Sequence, residues 1–136
     1  FVVSQLPWFK DEYVSKEKLA LEFVFLPMTP EGILSAKALL CSLDQNLFDG
    51  AHAALLLSPI FSAKELPAFA KKIGANATVL TKCVAGKEVT TVLEEHKEKA
   101  AEFGISRVPG FFLNGHTWLG VATREGLREE IERGKE

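Results

Sequence analysis

Residues 104–115 read GISRVPGFFLNG, and the fold turns on this stretch. Val108-Pro109 lies at its centre, followed by the apolar run Phe111-Phe112-Leu113 and the dipeptide Asn114-Gly115. Asn-Gly between two apolar runs predicts a two-residue hairpin, because a type I′ turn needs positive φ at both central positions. His116-Thr117-Trp118-Leu119-Gly120-Val121 is then the return strand. Pro109 has no N–H to give a ladder, so it belongs at the first residue or the edge of the strand it opens. An X-Pro bond also has a realistic cis option, which folded proteins keep mainly in tight turns. On spacing alone, an ordinary trans-Pro loop entering an edge hairpin is the simpler reading.

Helices flank this stretch on both sides. Upstream, Val89, Val92, Leu93, His96, Ala100 and Phe103 fall at helical spacing, and Gly104 stands where a C′ glycine ends a helix. Downstream, Thr123 caps a terminal helix with Leu127 and Ile131 on its inner face, ending at Gly134. Further back, Ser62-Ala63-Lys64-Glu65 has the capping-box pattern for a helix reaching Gly74, with Pro67 moving its start two or three residues later. Residues 47–57 form another helical patch, and residues 79–84 a short helix or turn carrying Cys83. Thr29-Pro30 opens a helix through Ile33, Ala36, Leu39, Leu40 and Leu43.

The N-terminal quarter has a different pattern. Residues 1–4 (FVVS) read as the tail of a strand, and Leu6-Pro7-Trp8-Phe9 opens a helix to about Ser15. Residues 19–26 (LALEFVFL) are apolar on both faces except at Glu22 and stop at Pro27, which predicts a central strand buried on both sides. Strand, helix, strand in that order predicts a βαβ unit with a right-handed crossover. The whole order is β-α-β, a block of about four helices, then β-β-α.

Bulk properties narrow the field. At 136 residues, 47% hydrophobic, 25% charged and net charge −2, the chain makes one domain and carries no basic stripe for nucleic acid. Its longest apolar run, residues 53–57, is far too short for membrane insertion. No signal-peptide pattern is present, and the chain starts inside an apolar run, as a cleaved leader or a trimmed chain would leave it. Two cysteines and three scattered histidines make no metal site, so no metal or other cofactor is expected.

The element order and the Pro at its corner resemble a thioredoxin fold with an inserted helical domain, as in the DsbA-like thiol oxidoreductases. GISRVPGFFLNG is similar to that family's cis-proline loop, with Arg107 in place of the usual small residue and Gly110 in place of the usual Thr. FVFLPMTPEGILSAKALLCSL is similar to its second strand and first insert helix. The resemblance implies an α/β thioredoxin-like core from residues 1–28 and 104–136, a helical subdomain from 29–103, and a cis Pro109. It also implies that Arg107, Val108 and Pro109 border a groove for extended peptide, and it places the protein in the periplasm or outside the cell.

The departure is at the redox motif. The family's Cys-Pro-x-Cys follows the first strand, and here Leu6-Pro7-Trp8-Phe9 stands there, with Leu6 and Phe9 at the two cysteine positions. Thiol–disulfide exchange needs a low-pKa thiolate at the helix N-terminus. Cys41 and Cys83 lie 42 residues apart in the insert, where the resemblance implies a structural bridge; the other reading is two buried free thiols, and the bridge stands slightly ahead because both lie in the same small helical block. The expectation is therefore a redox-inactive domain. It would hold extended or unfolded polypeptide, a protein partner or a second copy of itself, in a groove with Leu6, Trp8 and Phe9 at its mouth. Two alternatives remain: a thiol–disulfide oxidoreductase or isomerase, with its redox cysteines placed elsewhere than at Leu6 and Phe9 or with Cys41–Cys83 as the exchanging pair, and a glutathione-dependent enzyme similar to kappa-class transferases and hydroxychromene-carboxylate isomerases. The latter usually carry a Ser where Leu6 stands, and Ser4 is two positions early.

Several side chains have plainer readings. His96 lies on an apolar helix face as a core histidine, and His116 is exposed on the hairpin. Lys97-Glu98-Lys99 and Arg128-Glu129-Glu130 are solvated helix faces. Asn76-Ala77-Thr78 matches a glycosylation acceptor by a pattern common by chance.

Overall fold

The computed structural model describes residues 6–106, 110–113, 115–120 and 123–133. By its internal contacts the chain forms two compact units, Phe1–Leu26 with Glu98–Glu136, and Pro27–Lys97.

The second unit is helical. Its elements are α2 (Pro30–Leu43), α3 (Phe48–Leu57), a 3₁₀ turn (Ala63–Glu65) running into α4 (Leu66–Ile73), α5 (Ala77–Ala85), and α6 (Lys87–Glu102) up to Lys97. The caps are built from the residues that predicted them. Thr29 Oγ1 accepts from the Gly32 N–H at 3.0 Å, with Pro30 at the first helical position. Glu65 Oε2 accepts from the Ser62 N–H at 2.8 Å, and Pro67 falls in the first turn of α4. Asn76 Oδ1 accepts from the Val79 N–H at 3.0 Å and starts α5, which the sequence left as a helix or a turn. Leu39, Leu40, Leu55, Leu66, Phe69, Leu80 and Leu93 are buried. Burying one such side chain stabilises by roughly 1.5–3 kcal/mol.

The first unit is built on α1 (Leu6–Phe9), a π-helical continuation (Lys10–Val14), β1 (Gly110–Leu113), β2 (His116–Leu119) and α7 (Arg124–Arg133). β1 and β2 pair antiparallel, with Leu113 opposite His116 and Gly110 opposite Leu119. Gly115 has φ +82°, the positive value that the predicted turn requires there, and Asn114 lies outside the described residues. The return strand ends at Leu119, before Gly120, and Val121, expected at its end, lies outside the described residues. At the other end, α6 closes at Gly104, φ +74°, where the Ile105 N–H reaches back to the Ala100 carbonyl at 2.8 Å. Phe9, Tyr13, Leu127 and Ile131 form the core cluster, with Trp8, Val14, Leu19, Leu21, Phe111 and Leu113 packed against it.

Residues 19–26 differ from expectation. They join no ladder with the described strands, which form a two-stranded sheet. They are half-buried, with Ala20 and Glu22 exposed, rather than covered on both faces. A central strand needs neighbours about 4.8 Å away on each side, and the expected neighbour, residues 1–4, lies outside the described residues. The segment is held by side chains instead: Leu19 and Leu21 rest on the aromatic cluster, and the Lys10 ammonium lies 5.9 Å from the Phe23 ring centroid.

Candidate functional site

α1 begins at the position where the resemblance puts the redox motif. Leu6 and Phe9, the residues at its two cysteine positions, are 5% and 8% exposed. Both are thus turned inward, and Phe9 lines the cleft described below. An apolar side chain at the head of a helix gains by turning into the core, and Phe9 does so against Tyr13, with ring centroids 5.5 Å apart. Pro7 is exposed and Trp8 half-buried. The π-helical turn continues the helix with Ser15 N–H donating to the Lys10 carbonyl at 2.8 Å, and Tyr13 is buried on the same side as Phe9.

Trp8 is the meeting point of this surface. Its indole stands edge-on to Tyr13, with centroids 5.8 Å apart. The guanidinium carbons of Arg124 and Arg128, one turn apart on α7, lie 5.3 and 5.1 Å from its ring centroid. Arginine over an indole is a cation–π contact of about 0.5–1 kcal/mol at an exposed site. Charge spacing read Arg128 as part of a solvated face. What it lacked was the register between α1 and α7, which only the fold supplies. More cations gather beside this patch. Lys16 donates to Glu12 at 3.2 Å and, with its charge, holds the carboxyl below the usual range against the opposing effect of desolvation, while Lys18 and Arg128 contribute still less.

On its other side, the aromatic cluster borders a cleft of about 430 Å³ within the first unit. Leu21, Val24 and Leu26 form one wall, and Phe103, Phe111 and Phe112 another. Phe103 and Phe112 stack with centroids 4.2 Å apart and planes 8° off parallel. The Thr117 hydroxyl donates to the Phe103 carbonyl and ties β2 to the end of α6. Glu22 and Lys99, an ion pair, supply the charge among the described lining residues. None of those lining residues carries a thiol, hydroxyl or imidazole. Arg107, Val108 and Pro109, expected to border the groove, lie outside the described residues, immediately before β1.

Cys41 and Cys83 are joined by a disulfide in the second unit, with their α-carbons 5.8 Å apart, linking α2 to α5. Cys41 is 2% exposed and Cys83 half-buried. Neither sulfur belongs to the cleft-bearing unit. His96 is half-buried on α6, and His116 is exposed on β2, with Nδ1 3.9 Å from Glu130 Oε1. The described residues contain no cluster of three His, Cys, Asp or Glu that could hold a metal, and no helix long and apolar enough to cross a membrane.

Fold, hairpin and helix order define an α/β thioredoxin-like domain. The model of the thioredoxin family matches residues 4–133, nearly the whole chain, and the protein belongs to that family, which is of the thiol–disulfide oxidoreductase type. None of the curated proteins searched matches the chain.

Proposed function

We propose that this protein is a redox-inactive, DsbA-like member of its family that holds extended polypeptide in the apolar cleft beside β1. The observation that carries this is the cleft's chemistry: about 430 Å³, walled by aliphatic and aromatic side chains, with no nucleophile among its described lining residues. Exchange would require a thiolate at the head of α1, and Leu6 and Phe9 are buried there as core residues. The chain's two sulfhydryl-bearing residues are both used in the Cys41–Cys83 bridge.

Extended peptide suits the cleft because one wall is a strand. β1 pairs along one edge with β2, and an antiparallel ladder turns alternate backbone N–H and C=O groups of a strand to its other edge. A peptide strand added there gains affinity from main-chain hydrogen bonds and specificity from alternate side chains seated among Val24, Leu26, Phe103 and Phe112. The same chemistry accepts a segment of a folded partner or of a second copy.

Calorimetric titration with a short Val/Leu-rich peptide tests the assignment. The expected result is saturable binding that Phe112→Asp weakens at least tenfold, because Phe112 is 45% exposed and its replacement leaves the buried core intact. Unchanged affinity in that variant, with a native circular dichroism spectrum, would refute the cleft as the site.

A further inference from the structure

We propose that the Glu22–Lys99 ion pair is the specificity element of the cleft, selecting a polypeptide that carries a carboxamide side chain, Gln or Asn, among its apolar residues. This names the substrate class of the binding function proposed above and rests on that reading. Both residues line the cleft, and they are the charged ones among its described lining residues. They come from its two sides: Glu22 from the segment carrying Leu21 and Val24, Lys99 from α6, one turn before Phe103. Lys99 pairs with Glu22 Oε1. Its ammonium also lies 5.9 Å from the Phe103 ring centroid, an attraction that engages its charge rather than its N–H groups.

Each partner keeps hydrogen-bonding capacity once the pair has formed. An ammonium carries three donors and no acceptor, and a carboxylate two oxygens that only accept. Glu22 Oε1 takes one donor, which leaves N–H groups on Lys99 and Oε2 on Glu22. The Lys99 side chain is 39% exposed and that of Glu22 68%, so both reach solvent that a ligand would displace. The two charges cancel, and the cleft offers a donor and an acceptor side by side. A carboxamide matches this arrangement: its C=O accepts from Lys99 and its NH2 donates to Glu22 Oε2, both carried on one carbon. An acidic side chain would bring a second carboxylate against Glu22, and a basic one a second ammonium against Lys99. Each gains one attraction, meets one repulsion and gives up hydration on entering apolar surroundings. An aliphatic side chain covers both charges without bonding either.

A set of peptides tests the assignment: one Val/Leu-rich sequence with Gln, Glu, Lys or Met at its central position, titrated calorimetrically. The Gln peptide is expected to bind about fivefold tighter than the Met peptide, the size that net hydrogen bonding supports, and tighter than either charged one. Glu22→Met leaves the ammonium alone, and the order turns to favour the Glu peptide. Lys99→Met leaves the carboxylate alone, and the order turns to favour the Lys peptide. In the Glu22→Met/Lys99→Met double variant the Gln and Met peptides bind alike. Neither side chain belongs to the core, so native circular dichroism spectra are expected throughout. A Gln preference absent from the wild type or kept by the double variant would overturn the ion pair as the specificity element and leave the cleft standing. So would single variants that rank the charged peptides alike. No binding by any peptide of the set would overturn the cleft, and this assignment with it.

Discussion

The two units of this protein are held together by different kinds of interaction. In Pro27–Lys97, local side-chain caps at Thr29, Ser62-Glu65 and Asn76 start three of the helical segments, and a disulfide then joins two of the helices. In Phe1–Leu26 with Glu98–Glu136, the helices are short, and one four-residue cluster gathers α1, its π-helical turn and α7 from opposite ends of the chain. Local signals suffice for the first arrangement, whereas the second exists only when distant segments meet. The candidate site lies in the second.

Breaking the disulfide should produce the largest effect. The bridge closes a 42-residue separation, worth about 4 kcal/mol on the chain-entropy model. Cys41→Ser/Cys83→Ser should therefore lower the helical transition by about that amount in denaturant unfolding followed by circular dichroism. Both tryptophans lie in the other unit, so the fluorescence transition should move less. Coincident shifts would show instead that the units unfold as one.

The converse experiment is Leu127→Ala. Leu127 is 3% exposed within the aromatic cluster, and removing such a side chain costs roughly 2–5 kcal/mol. About 3 kcal/mol is expected, read first in the fluorescence signal. Smaller and matched losses should follow from Thr29→Ala and Thr123→Ala. Each hydroxyl accepts a backbone N–H at 3.0 Å, one in each unit, and each cap is worth about 1 kcal/mol. A cap that cost nothing in one unit would show that its helix is held by packing alone.

The smallest effect concerns Glu12. Its carboxyl titrates below the ordinary value because Lys16 hydrogen-bonds to it. A depressed folded pKa stabilises above the unfolded value, and that stabilisation is lost as pH falls through the folded one. Wild type and Glu12→Gln should thus differ in Tm near neutral pH and converge in strong acid, with the difference reduced by salt. A gap that widened on acidification would contradict the assigned cause.

The same division governs what could be read from the sequence. Thr29, Ser62-Glu65 and Gly104 marked helix ends correctly because a cap is a contact between near neighbours. Asn114-Gly115 likewise fixed the hairpin register. Residues 19–26 were misread because an apolar run predicts burial, while a ladder depends on which other segments lie alongside. Leu6 and Phe9, expected at a groove mouth, are both buried and Phe9 lines the cleft, because the direction a helix face turns is set by packing rather than by spacing. Arg124 was not singled out and Arg128 was read as part of a solvated face, because their common neighbour, Trp8, is more than a hundred residues away along the chain.

The central claim is that a thioredoxin-family fold here binds without exchanging disulfides. Oxidation of a dithiol model peptide by the purified protein tests it most directly, with Cys41→Ser and Cys83→Ser variants alongside. The account predicts no peptide oxidation above the buffer rate in any of the three. Turnover by the wild type that either substitution abolishes would contradict it and make Cys41–Cys83 a working redox pair.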